Sequence, residues 1–511
     1  MDTEGVDVDA VVVGAGPNGL VAANLLADAG WRVLVLEAQP EPGGAVRSAE
    51  LTHPGFVHDL CSGFYPMAVA SPVLRALRLE DHGLRWRRAP LVLAHPTGDR
   101  CAMLSPHVEE TAASLGAFAA ADADAWRALT REFDRGAEPL LDMLMSPIPP
   151  VHGAWSLLRT LGPRATASLT RRAASSLQRL ARDTFRGEGG ALLLAGNALH
   201  SDVRLDRVPS GFLGWFLAGL AQRDGFPVPE GGAGRLTDAL VARLEARGGM
   251  VQCNARVTRI VVRDRRAVAV ELVDGTIIDA PRGVLADVGA PALYRDLVGE
   301  DHLPTRVRFG LRRFRWDDAT FKVDWALSAP IPWRHDAVRR AGTVHLCDDL
   351  ATASAYQRDL ASRRMPMRPF VIVGQMAVAD PTRSPAGTGT AWAYTHVPRG
   401  VHWDATTIAA CADRVEAEIE RHAPGFRSVI TARHVLAPPA LEALDANLVE
   451  GAIGGGTMAL RQQLVLRPIP GLGRAETPIR GLYLASASAH PGGGVHGACG
   501  ANAARAALRH A

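Results

Sequence analysis

The chain has 511 residues, 47% of them hydrophobic and 21% charged, with a formal net charge of +3. One hydrophobic core stops growing at roughly 250–300 residues, so two domains are expected, and the composition excludes a disordered chain. The near-balanced charge gives no basis for nucleic-acid binding.

The acidic start, with Asp2, Glu4, Asp7 and Asp9, carries no signal-peptide pattern. No uninterrupted apolar stretch reaches the ~18 residues of a membrane span. Residues 8–13 read as a short buried parallel strand, valine-rich and ended by Gly14. Residues 18–29 read as a helix stopped by Gly30, and 32–36 as a second apolar strand ending at Glu37. Together they form one βαβ unit of about 30 residues.

Residues 105–224 have a helical texture rich in alanine, leucine and arginine. A glycine-rich turn at 225–234 leads to a helix at 235–246, then to strands at 250–254, 257–263 and 267–272. A β-rich stretch with interspersed helices covers 305–435, with strands expected at 321–327, 370–376 and 391–396. The chain closes on a strand at 481–485, a glycine loop at 491–494 and a helix at 501–508. One domain is therefore expected to assemble from separated segments.

Six cysteines, Cys61, Cys101, Cys253, Cys347, Cys411 and Cys499, lie scattered with no CxxC pair. That argues against a zinc site or a dithiol redox centre and fits a reducing cytoplasm. No metal is expected, and the expected location is cytoplasmic.

The chemistry concentrates at the first βαβ unit. Gly14, Gly16 and Gly19 fit G-x-G-x-x-G, with Pro17 opening the helix. The first glycine permits a tight turn, the second lets backbone approach a pyrophosphate, and the third lets helix pack on sheet. The helix N-terminus offers free N–H groups and a positive dipole to phosphates. Glu37 stands where an acid accepts ribose hydroxyls, and it disfavours a 2′-phosphate. Gly43 and Gly44 follow, and their backbone N–H groups suit phosphate or ribityl oxygens, with Arg47 adding charge. This second glycine pair favours FAD over NAD.

With these residues in view, the sequence resembles the phytoene desaturase-like branch of the FAD-containing amine oxidase superfamily. The resemblance covers nearly the whole chain. It rests on the fingerprint, on Gly43-Gly44, on His58-Asp59 with Cys61-Ser62 and Pro66, and on the turn at 225–234. The most specific part is Gly481-Leu482-Tyr483-Leu484-Ala485 followed by the loop from His490 to Gly497. The resemblance implies an α/β fold with a Rossmann-like discontinuous FAD-binding domain and an inserted α+β substrate domain. The FAD domain would comprise 1–100, 226–300 and 437–511, and the substrate domain 101–225 and 301–436. Val257 would contact the adenine end by its backbone. Gly493, Gly494 and Val495 would lie against the flavin ring, where bare backbone avoids a clash. The helix that follows would aim its positive end at the anionic reduced flavin.

Lys322 is the sole lysine among 56 basic residues. It starts a segment ending at Trp333 that resembles a strand on which amine oxidases carry a lysine holding a water near flavin N5. Lys322 and His490 are the candidate catalytic residues, with His496 a further loop histidine. The pattern departs from amine oxidases in two ways. The stretch Ala485-Ser486-Ala487-Ser488 has no carboxylate for the ribityl chain, and no aromatic cage for an amine is evident.

The expected activity is an FAD-dependent oxidoreductase of the dehydrogenase or desaturase type. It would pass hydride from CH–CH donors of an apolar, lipid-like or polyisoprenoid substrate to flavin, with oxygen or a quinone taking the electrons. A flavin amine oxidase making hydrogen peroxide and a low-turnover flavin-stabilised binding protein are the alternatives. Between 140 and 186, an apolar start precedes Arg159, Arg164, Arg171, Arg172, Arg179, Arg182 and Arg186. Such a basic amphipathic surface suits peripheral contact with anionic lipid.

Overall fold

The structure is a computed structural model describing residues 7–510. Asp2 and Glu4 of the acidic start lie outside the described residues. The first βαβ unit is formed by β1 (Ala10–Val13), α1 (Pro17–Asp28) and β2 (Val33–Leu36). Both strands are buried throughout, which is why their residues are uniformly aliphatic rather than alternating.

The two strands sit inside a five-stranded parallel sheet. Its order is Leu482–Leu484, Gly283–Ala286, β1, β2, Met250–Gln252. Ala10 stands opposite both Gly283 and Val33. Strands from three distant parts of the chain thus build one Rossmann-like layer, flanked by α1, Gly234–Glu245 and Ala498–His510. The last helix packs tightly on α1: a Cβ at Gly500 would stand 1.9 Å from the Asn18 carbonyl oxygen.

A seven-stranded sheet forms the second body of the fold. Its order is Ile430–Leu436, Ala319–Leu327, Gly389–Val397, Val371–Gln375, Ala341–Leu346, Leu91–Thr97, Arg100–Leu104. All pairings are antiparallel except that of Leu91–Thr97 with Ala341–Leu346. The two-residue turn Gly98-Asp99 folds Leu91–Thr97 onto Arg100–Leu104, so both strands join the substrate-side sheet. The central strand Ala319–Leu327 is buried along its whole length.

The expected helical stretch resolves into six helices, from Val108–Gly116 to Ser210–Asp224. Val151–Ala173 is broken at Gly162, whose φ of 75° precedes Pro163; proline lacks the N–H needed to continue the ladder. Among the described residues, no helix is long and apolar enough to cross a membrane.

Candidate functional site

The site lies at the carboxyl edge of the parallel sheet, where the crossovers leave a crevice. Gly14 leaves β1 with φ of 95°, and its N–H donates to the Leu36 carbonyl at 2.8 Å. Glu37 ends β2. Its carboxylate accepts N–H bonds from Ala15 at 2.8 Å and Gln39 at 2.9 Å.

Asp287 ends the strand Gly283–Ala286, and its Oδ2 accepts the Gly19 N–H at 2.8 Å. Burial raises the Asp287 carboxyl to a pKa of about 8, with Asp445 and Glu37 adding to the rise and the Gly19 N–H opposing it. A proton therefore resides on this acid at neutral pH. The glycines here are steric requirements. A Cβ at Gly16 would meet Asp287 Oδ2 at 2.6 Å, and one at Gly44 would come within 3.3 Å of Gly16 Cα.

From Gly16, Pro17 and Asn18, a continuous cavity of about 830 Å³ runs along Ser486–Ser488 and Pro491–His496 into a chamber between the two sheets and the helices. One wall is bare backbone at Gly454, Gly455, Gly493 and Gly494. A Cβ at Gly493 would lie 2.8 Å from the Gly454 carbonyl oxygen. Behind this wall sits fully buried Arg467, which donates to the carbonyls of Gly454, Gly456, Thr457 and Ala487. The same loop is held from its other side by Asp317, whose carboxylate accepts the Ile453, Gly454 and Gly456 N–H groups.

The chamber is mainly apolar, with Leu140, Met143, Leu157, Leu169, Phe212 and Phe216 in its walls. Lys322 also faces it, and its ammonium is fully engaged. Nζ donates to the Asp59 carbonyl at 2.9 Å and to both carboxylate oxygens of Asp324. An ammonium has three donors, so none is left over for a water. Asp324 lies two residues on along the same strand, hence on the same face. Burial pushes its carboxyl up, but Lys322 and His58 outweigh that and hold it below the usual carboxylate range. Asp59 is a second hub: its carboxylate takes Arg383 at 3.0 Å through each oxygen, Ser48 Oγ, and the Ala233 N–H of the 225–234 turn.

The structure gathers most of the sequence-derived candidates. Gly16, Pro17, Lys322, His490, Gly493, Gly494 and Val495 line the one cavity. Gly14, Gly19, Glu37, Gly43 and Gly44 stand against Ala15, Gly16 and Asp287, the last two of which line it. Arg47 points elsewhere, donating to the carbonyls of Gly44 and Leu444. Val257 opens its strand two residues beyond Ala255, whose N–H donates to the Glu37 carbonyl at 2.8 Å. His490 is buried with no well-aligned hydrogen bond at either ring nitrogen, and burial lowers its pKa to about 4 against the opposing pull of the Ser146 and Leu144 backbone. His496 is equally depressed, to about 4, and its Nδ1 accepts the Ala498 N–H. Asn18 Oδ1 is also buried without a partner. These orphaned polar atoms, beside a backbone wall and a glycine-lined crevice, fit a long, partly flat, polar cofactor.

Sequence reasoning passed over Asp287, Asp445, Asn447, the Gly454–Gly455 wall, His200 and Tyr394. Asp287 carried a signal, an acid ending an apolar strand. The glycine run at 454–456 carried another. The acid-histidine group Asp348, Glu418 and His422 gathers within 4.8 Å, but Arg368 and Arg421 pair with both carboxylates.

Comparison with known proteins agrees with this geometry. The sequence profile described as flavin containing amine oxidoreductase matches residues 18–508. Pyridine nucleotide-disulfide oxidoreductase domain-containing protein 2 of Rattus norvegicus is 28% identical, covering 98% of this chain and 94% of its own. The neurosporene-forming phytoene desaturase of Rhodobacter capsulatus is 25% identical, covering 97% and 92%. Among solved structures, an oxidoreductase from Methanosarcina mazei superposes with a TM-score of 0.63 at 17% identity, covering 98% of this chain and 99% of that one.

Proposed function

Because this chain belongs to the flavin containing amine oxidoreductase family, in its phytoene desaturase-like branch, we propose that it oxidises an apolar, lipid-like or polyisoprenoid substrate at CH–CH bonds. The cofactor is FAD. Bound FAD supplies a two-electron acceptor for hydride. The residues that would hold it are Gly14, Gly16, Pro17, Gly19, Glu37, Gly43, Gly44 and Val257 at the nucleotide end, with Arg47 bracing the Gly44 carbonyl from behind, and Gly493, Gly494 and Val495 at the ring.

The observation that carries the substrate reading is the continuity of the cavity. The glycine-lined crevice opens without a barrier into a chamber walled by Leu140, Met143, Phe212 and Phe216. Such a wall excludes water and gains roughly 25 cal/mol for each Å² of apolar surface it covers. Lys322 acts there as a fixed positive charge, because its donors are committed to Asp324 and Asp59. His490, neutral at physiological pH, adds polar ring nitrogens to the cavity lining. Electrons then leave to oxygen or a quinone.

Access to the chamber is framed by exposed apolar side chains. Val151, Trp155 and Leu158 are exposed on one helix, and Leu460, Leu464 and Val465 on the segment 460–465. Ala154, Leu157, Leu460 and Leu464 also line the cavity. Arg159 is exposed on the same helix and Arg164 and Arg171 beyond its break at Gly162, whereas Arg172 is part-buried against Glu132. This rim suits peripheral contact with an anionic lipid surface from which substrate enters.

The discriminating test is product chemistry in air. Oxidation of apolar substrates without amine turnover supports the reading. Peroxide release with a panel of amines, absent with lipids, assigns an amine oxidase instead. Failure of every substrate class to reduce the flavin leaves a low-turnover binding protein.

A further inference from the structure

We propose that the chamber recognises an oxygen acceptor on its otherwise apolar substrate through the Tyr394 hydroxyl, which His200 and the buried His345 behind it orient as a donor. The inference rests on the apolar-substrate reading above and narrows it to oxygenated molecules. Ketones, aldehydes, ethers and alcohols of isoprenoid or acyl character qualify.

Tyr394 and His200 both line the chamber. Tyr394 Oη lies 3.0 Å from His200 Nδ1. His200 Nε2 lies 3.0 Å from His345 Nε2, and His345 is 0% exposed. Burial lowers the pKa of His200 to about 3 and that of His345 well below its ordinary value. Both imidazoles are therefore neutral, and each carries one N–H and one lone pair.

The direction of the chain follows from its inner end. His345 Nδ1 has no hydrogen-bond partner. It abuts Gly196 so closely that a Cβ there would lie 2.1 Å away. A ring N–H aimed at that Cα–H would be an orphaned donor in steric conflict, whereas a lone pair makes a weak favourable contact. The proton of His345 thus sits on Nε2 and is donated to His200 Nε2. His200 must then carry its proton on Nδ1 and donate it to Tyr394 Oη. The phenol oxygen accepts that bond, which leaves its own O–H to donate into the chamber.

A cavity walled by leucine, methionine and phenylalanine holds an apolar chain without fixing its position along the wall. One directed hydrogen bond fixes which carbons come to rest beside the glycine-backbone wall. Donor polarity also selects against a protonated amine, which itself offers only N–H groups. An acceptor oxygen in a desolvated site is worth about tenfold or more in affinity.

The test uses the FAD-loaded protein and two probes, geranylacetone and the hydrocarbon of the same skeleton without the carbonyl oxygen. Binding is read from the perturbation of the flavin absorption spectrum. The wild type is expected to prefer the ketone by about tenfold or more. Hydrophobicity alone favours the hydrocarbon, so the sign of the preference is itself informative. In Tyr394→Phe the preference is expected to vanish with hydrocarbon affinity retained, and that affinity also reports a folded chamber. Equal binding of both probes by the wild type overturns the inference and leaves the apolar chamber standing. Binding of neither overturns both. A ketone preference that survives Tyr394→Phe assigns the contact to another donor and overturns the role of Tyr394.

Discussion

Replacing Lys322 by Met separates a structural charge from a chemical one. Lys322 is 3% exposed and Asp324 is 0% exposed in their ion pair. Without the ammonium, the carboxylate keeps only the His58 ring, 3.6 Å away through Nδ1. Breaking a buried pair on one side typically costs about 3–5 kcal/mol, because the remaining charge stays desolvated. At about 1.4 kcal/mol per decade, that is roughly a hundredfold to a few thousandfold in the opening equilibrium. Adding Asp324→Asn removes the stranded charge, so the double variant should recover most of the loss and retain a deficit of about 1–2 kcal/mol. Amide hydrogen exchange across Ala319–Leu327, the strand bearing both residues, reads this directly. The single variant should lose protection by the stated factor, and the double variant should stay within about fivefold to thirtyfold of the wild type. Undiminished protection in Lys322→Met would refute the reasoning. Flavin reduction and reoxidation rates in the double variant then report the charge alone, and unchanged rates would remove Lys322 from the chemistry.

The Asp287 carboxyl is raised to about 8, so the folded protein holds a proton there that the unfolded chain has already released. Stability should therefore fall as pH climbs from the ordinary carboxylate range through about 8, and FAD should leave more readily at the alkaline end. Thermal melts and flavin release followed over that range should lose this slope in Asp287→Asn, and a slope that persists would point to another group. Gly493→Ala forces a Cβ to 2.8 Å from the Gly454 carbonyl oxygen, an overpacking that should cost about 1–3 kcal/mol of FAD affinity. Titration of the flavin-stripped protein checks it, and wild-type affinity would place the ring elsewhere. Flotation with anionic vesicles at low salt should carry the wild type upward. Trp155→Glu and Leu464→Glu should each lower the bound fraction about tenfold, given about 1.5–3 kcal/mol per buried large side chain. Absence of wild-type flotation would remove the membrane contact.

The turn out of β1 and the acid that ends β2 were readable because their determinants are local. Gly14, Gly16, Gly19 and Glu37 fall within one βαβ unit, and each is required by backbone geometry rather than by a distant side chain. The loop from His490 to Gly497 was readable for the same reason. Asp287 escaped because it acts across the sheet: its partner Gly19 is 268 positions away. The Tyr394–His200–His345 chain escaped because its members arrive on two different strands and a helix end, and no spacing links them. Lys322 stood out as a single residue, yet its meaning depended on Asp324 two positions along, which strand periodicity alone could have paired with it.

The most direct test of an FAD enzyme acting on apolar molecules is anaerobic mixing of the purified, FAD-loaded protein with a fractionated lipid extract. An apolar fraction is expected to bleach the oxidised flavin band, and admitted oxygen or quinone should restore it. A flavin that stays oxidised with every lipid fraction, yet bleaches on addition of amines, would contradict the reading of the chamber.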